Sequence, residues 1–149
     1  MTVKSTKPIQ FNIGKIETLQ FAILQEDVDE TSLSLEASFG FGVDGESQIV
    51  RCTFEYIFLS ATSQLLKIES AVQFSVDQEC FVKVIEQKHA WVLPKEFAIH
   101  IAMTTVSITR GILHEKTRKS VLNNYPIPVI NVLDQVNNDI VIQKSKVEN

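Results

Sequence analysis

Apolar and polar residues alternate with a period of two along most of the first half of the chain, the spacing of strands with one buried face. Residues 11–25 put Leu19, Phe21 and Ile23 on one face, and Gly14 marks a bulge near their start. An acidic stretch, 26–30, supplies a turn, because Asp bonds locally to backbone and is depleted in strands. Residues 31–43 alternate Leu33, Leu35, Ala37, Phe39, Phe41 and Val43 against Ser, Glu and Gly. Asp44-Gly45 then predicts a two-residue type I′ hairpin with positive φ at both central positions. The alternation resumes over 48–61, with Val50, Cys52, Phe54, Tyr56 and Phe58 inward, and over 65–76, with Leu66, Ile68, Val72, Phe74 and Val76 inward. Four strands joined by turns predict an antiparallel meander with one apolar and one polar face.

The period changes at residues 91–111. Trp91-Val92-Leu93-Pro94 is read as the opening of a long helix, with Pro tolerated in the first turn and Glu96 near the positive end of the dipole. The threonines and β-branched residues of 104–109 have strand-like propensity, but length and the loss of alternation favour helix. One apolar stripe runs through Ile99, Ala102, Met103 and Val106, and a second through Phe97, Ile101, Thr105, Ile108 and Ile112. A helix covered on one side needs only one stripe; the second is assigned to an interface with another copy of the chain. Residues 80–85 continue the sheet or form a crossover, 86–90 break it, 123–128 are extended because of their prolines, and 130–136 predict a short second helix. The expected class is α+β, with a flexible arm over 1–10, one domain over 11–138 and a tail over 139–149.

At 149 residues, such a domain buries enough surface to fold without metals or disulfides. The formal charge of -4 and scattered Lys and Arg argue against nucleic acid as a partner. The polar amino terminus lacks a secretory apolar core, and no apolar run approaches the roughly 20 residues that span a bilayer, so a cytoplasmic protein without membrane insertion is expected. Cys52 and Cys80 read as buried free thiols.

Gly40-Phe41-Gly42-Val43-Asp44-Gly45 matches a Gly-x-Gly-x-x-Gly phosphate loop, but a strand rather than a helix follows it, and the other kinase motifs are absent. His89, His100 and His114 lie too far apart for metal ligation at helical spacing, and no nucleophile elbow or triad pattern occurs. No enzyme activity and no cofactor are therefore expected. Glu36, Glu55 and Glu69 spread along strand exteriors as a solvated face that can dock a partner. Nine Phe, Trp91 and Tyr125 exceed what one sheet and one helix easily hide, and aromatics in linkers beside a sheet can form grooves for extended peptide.

The four alternating strands, Val92-Leu93-Pro94 before the long helix, Ser107-Ile108-Thr109-Arg110-Gly111 near its end, and Pro128-Val129-Ile130-Asn131-Val132-Leu133 beyond it resemble the SecB family of export chaperones. The resemblance covers about residues 11–136. It implies an ATP-independent chaperone that binds unfolded or precursor polypeptides in apolar grooves, assembled as a homotetramer, a dimer of dimers. It implies peptide contacts at Phe39, Phe41, Phe81, Trp91, Tyr125, Ile127, Val132 and Leu133, and docking of a translocation ATPase on an acidic face of Glu36, Glu55, Glu69 and Asp77. The basic stretch Lys116 to Lys119 departs from the family, which leaves open a SecB-like chaperone dedicated to an antitoxin or another single client. A non-enzymatic oligomeric adaptor is the other alternative.

Overall fold

A computed structural model describes residues 8–61 and 63–144, so most of the expected arm over 1–10 and half of the tail over 139–149 lie outside the described residues. Strands β1 (Phe11–Ile23), β2 (Leu33–Asp44), β3 (Ile49–Ser60) and β4 (Ser63–Val76) form one antiparallel sheet, and the class is α+β. Only β2, β3 and β4 meander; β1 joins beside β4, giving the order β1-β4-β3-β2. The acidic stretch is the reason. Instead of turning tightly, residues 24–32 cross the end of the β3-β4 hairpin, where Asp29 N donates to Ser60 Oγ at 2.7 Å and that hydroxyl donates to Asp29 O at 3.1 Å.

Register shifts in β1 fall between Ile13 and Ile16, at the expected Gly14 bulge, and between Thr18 and Gln20. The β2-β3 connection differs from the expected two-residue turn. Residues 45–48 form the loop, no glycine has positive φ, and the left-handed residue is Gln48, at φ 51°. Asp44 Oδ1 instead accepts from Glu46 N at 3.1 Å and Ser47 N at 3.4 Å, an Asx-type turn. Glycine is required at 45 for space, since a Cβ there would lie 2.9 Å from Trp91 Cζ2.

After β4, Asp77 caps a short helix, α1 (Gln78–Cys80), which runs on as π-helical turns over Phe81–Ile85. This segment is therefore a helical crossover and not a continuation of the sheet. Residues expected to open the long helix form β5 (Ala90–Leu93), because Pro94 disfavours helical backbone at Leu93 and a partner strand is at hand. That partner is β6 (Ile140–Gln143), in the segment assigned to the tail.

The long helix, α2 (Lys95–Lys116), is continuous. Its threonines are accommodated by back-bonding to the preceding turn: Thr105 Oγ1 donates to Ile101 O and Thr109 Oγ1 to Thr105 O, both at 2.7 Å. Buried Thr109 also meets Ser70 of β4 hydroxyl to hydroxyl, so the polar pair under the helix is satisfied. The expected second helix reduces to one 3-10 turn, Val132–Asp134, capped by Asn131, whose Oδ1 accepts from Leu133 N at 3.2 Å. Another such turn, Val121–Asn124, follows α2.

α2 packs over β3 and β4 and divides the core into two clusters. One gathers Val50, Phe74, Phe81, Leu93, Phe97, Ile101, Val132 and Val136. The other gathers Phe54, Tyr56, Phe58, Ile68, Val106, Leu113 and Ile127. Cys52 is free and buried, and burial pushes its thiol up to about 11; Cys80 is free and half-buried.

Candidate peptide-binding groove

β2 is an edge strand, and its two ends differ. Its pairing with β3 is unbroken from Leu33 to Asp44. Ala61 N donates to Ser32 O at 2.7 Å on the β3 side, and Gln135 Nε2 reaches Ala37 O at 2.9 Å from the outside. Antiparallel geometry alternates the direction of backbone groups, so the odd-numbered residues of β2 present N–H and C=O to the open edge. At Ala37 that edge is roofed by the segment bearing Gln135. At Leu33 and Leu35 nothing among the described residues roofs it, and these residues are 39% and 41% exposed.

Those two leucines form one wall of a cleft of about 300 Å³. Its floor is Tyr56 and Phe58, and its far wall is Tyr125, Pro126 and Pro128. The far wall is held in place. Tyr125 packs over Phe58 at 5.4 Å between centroids, and its hydroxyl donates to Glu30 Oε1 at 2.8 Å. Arg110 of α2 donates from Nε to Ile127 O at 2.7 Å and from Nη2 to Pro128 O at 3.0 Å. The prolines lack N–H groups and cannot close onto β2 as a strand, so the wall stands off the edge. An extended peptide entering this cleft would meet free backbone donors and acceptors beside apolar walls, the arrangement for strand addition.

A second apolar surface lies at the far end of the sheet. The Trp91 indole abuts Gly45 of the β2-β3 loop, its Nε1 is buried without an acceptor among the described residues, and Lys144 Nζ sits 5.4 Å from the ring centroid. Here β6 occupies the edge of β5.

A third surface is the outer side of α2, a shallow depression of about 590 Å³ lined by Glu96, Ile99, His100, Met103, Thr104, Ser107 and Ile108, with Met103 55% exposed. The stripe assigned to an intersubunit interface is mostly elsewhere. Phe97, Ile101 and Thr105 are buried by the chain's own sheet, and Ile108 and Ile112 are half-buried. Both expected stripes contribute to the inner face, because the sheet and the crossover cover a wide arc of the helix.

Among solved structures, the chain is similar to the Mycobacterium tuberculosis SecB-like chaperone Rv1957, solved in complex with a ChAD peptide from the Rv1956 HigA1 antitoxin. The match covers 80% of this chain and 90% of that one, at 16% identity and a TM-score of 0.51. The fold is SecB-like. A protein of unknown function from Streptococcus agalactiae also matches, over 84% of this chain and 99% of that one, at 9% identity and a TM-score of 0.41. No protein-family model and no curated protein matches the sequence.

In this SecB-like fold the eight residues expected to contact peptide separate by burial. Phe81, Ile127 and Val132 are core residues, at 1%, 2% and 4% exposure. Phe39, Phe41, Trp91 and Tyr125 are half-buried, and Leu133 is exposed. Phe39 stacks on Phe54 at 5.0 Å, and Tyr125 lines the cleft at Leu33 and Leu35. Those two leucines, Arg110 and Gln135 were missed as site residues. Leu33 and Leu35 carry the same alternation as buried neighbours, and nothing in a sequence tells where a helix stops covering a sheet.

The acidic face is mixed in charge. Glu36, Glu55 and Glu69 lie on the side of the sheet away from α2, with Glu55 directly opposite Glu69. A hydrogen bond to Glu55, then burial, then the Glu55 charge raise the Glu69 carboxyl, against Lys67 and Arg51. Lys67 Nζ lies 3.9 Å from Glu55 Oε2. Asp77 has left the sheet, and its Oδ2 accepts Cys80 N at 3.2 Å. Among the described residues no group of three His, Cys, Asp or Glu side chains is placed to hold a metal ion, and no helix is long and apolar enough to cross a membrane.

Proposed function

We propose that the protein is an ATP-independent SecB-like chaperone, not an enzyme, that holds polypeptide segments in extended form. The observation that carries this reading is the uncovered end of β2, where the free backbone of Leu33 and Leu35 borders a cleft walled by Tyr125, Pro126 and Pro128. A client strand adds to β2 and buries alternate apolar side chains in the cleft. Binding competes with client folding by mass action and needs no nucleotide.

Assembly into a homotetramer, as a dimer of dimers, would use the outer side of α2, where Met103 is exposed and Ile99 and Ile108, packed on one side against the core, show their remaining surface. Between precursor export and one dedicated client, the outer sheet face supports the second. Lys67 and Arg51 interrupt its acidity and Asp77 is occupied as a cap, which weakens it as a dock for a translocation ATPase. The similar chaperone Rv1957 was solved with an antitoxin peptide, which supports the same choice.

The test is fluorescence anisotropy of labelled apolar peptides with wild type and Leu35→Asp, alongside suppression of aggregation of a denatured protein. The expected result is binding that Leu35→Asp weakens at least tenfold without loss of fold. Absence of peptide binding and of protection by wild type would remove the chaperone reading.

A further inference from the structure

The C-terminal strand β6 pairs with β5 through four residues, from Ala90 opposite Gln143 to Leu93 opposite Ile140. A two-stranded ribbon of that length is marginal by itself in water, so side chains must hold it. Ile140 and Ile142 are half-buried against the core cluster that Phe41, Val43 and Trp91 also pack against, while Val141 between them is 56% exposed. Beyond them, Lys144 Nζ lies 3.4 Å from Glu86 Oε1 and over the Trp91 ring. The seat on β5 thus accepts a strand that reads apolar, free, apolar, free, basic. Its parts are the edge of β5, an apolar floor, and an acid with an aromatic ring for a cation.

We infer that this seat is a second polypeptide-binding site, and that β6 is an internal occupant displaced by client strands of the same pattern. The inference rests on the chaperone reading. An intramolecular occupant acts as a competitor at high effective concentration, so it lowers apparent client affinity and closes the seat again when the client leaves. Release then needs no nucleotide. The tether is short: Asp139, next to β6, is fixed to the start of α2 through Lys95 N at 2.8 Å, so β6 can lift while its root stays in place.

A reversible lock tests this in the full chain. Lys144 N donates to His89 O at 3.0 Å, which makes that pair hydrogen-bonded and places Val92 and Val141 in a non-hydrogen-bonded pair, the closer type across an antiparallel ladder. Val92→Cys with Val141→Cys, in a Cys80→Ser background, should therefore form a disulfide when oxidised. The probes are a labelled synthetic peptide containing Ile-Val-Ile-Gln-Lys, a scrambled control, and emission of Trp91, which is the single tryptophan of the chain.

The reduced protein should bind the first peptide as wild type does, with a shift in Trp91 emission. Oxidation should weaken binding at least tenfold and abolish the shift. A full-length release variant, Ile140→Ser with Ile142→Ser, should bind at least fivefold more tightly. Equal binding by oxidised and reduced protein, with Trp91 unchanged, overturns the inference; if that residual binding is lost in Leu35→Asp, the chaperone reading survives. If no form binds any peptide, both fall.

Discussion

Asp139 caps α2 from outside the helix: its Oδ1 accepts the N–H of Lys95 at 2.8 Å, across 44 residues of chain. Pro94, in the cap position, has no side chain able to do this. The expected effect of Asp139→Ala is a loss of about 1 kcal/mol, with Asp139→Asn close to wild type. Thermal unfolding followed by circular dichroism reads it as a fall in Tm of a few degrees for alanine alone.

Arg110 ties the wall of the cleft to the helix through two consecutive carbonyls. Arg110→Met removes both bonds and leaves the carbonyls of Ile127 and Pro128 without that donor, at an expected cost of about 2 kcal/mol. Arg110→Lys, with one point-like donor group, should recover part of it. Thermal unfolding followed by circular dichroism reads the effect as a fall in Tm of about 4–8 °C for Arg110→Met and a smaller one for Arg110→Lys.

Gly45 and Trp91 are in steric contact, so a single methyl group reports on both. In Gly45→Ala the added Cβ would sit 2.9 Å from Cζ2, and the indole must move. The expected cost is about 1–3 kcal/mol, as for overpacking elsewhere. Trp91 emission should shift to the red in the folded protein, and unchanged emission would count against the contact.

The Glu55 and Glu69 pair gives a dependence on pH. The Glu69 carboxyl is raised above its ordinary 4.5, so the folded chain keeps a proton that the unfolded chain releases. Stability from this group is present at low pH and declines as pH rises from 4.5 through the raised value. Glu69→Gln removes the clash. Its Tm should exceed that of wild type at pH 7 by up to about 2 °C, because the pair is solvent-screened, and the difference should vanish below pH 4.5.

The sheet was legible because its signal is local. Alternation from Leu33 to Val76 places each side chain on the correct face, and the Gly14 bulge appears where expected. The partner of β1 was not legible, since pairing with β4 depends on a crossing held by Ser60, a residue with no marker of that role. Trp91 to Leu93 was read as helix because β5 exists only through β6, whose four residues carry too little pattern to announce a strand. The cleft was half legible. Tyr125 stood out as an aromatic in a linker, whereas Leu33 and Leu35 differ from Phe39 only in what fails to cover them.

The crossing of residues 24–32 also orders events during synthesis. β1 leaves the ribosome first, yet its partner, β4, is complete only with Val76, and the long helix that covers their shared core emerges later still. Until then Phe11, Ile13, Ile16 and Phe21 have no sheet to join, and long-range pairing of this kind is slow and open to aggregation. Even in the folded chain Ile13 and Ile16 stay about half exposed, at 49% and 47%. The first strand of a protein proposed to hold unfolded segments thus itself waits, unpaired, until β4 has been made.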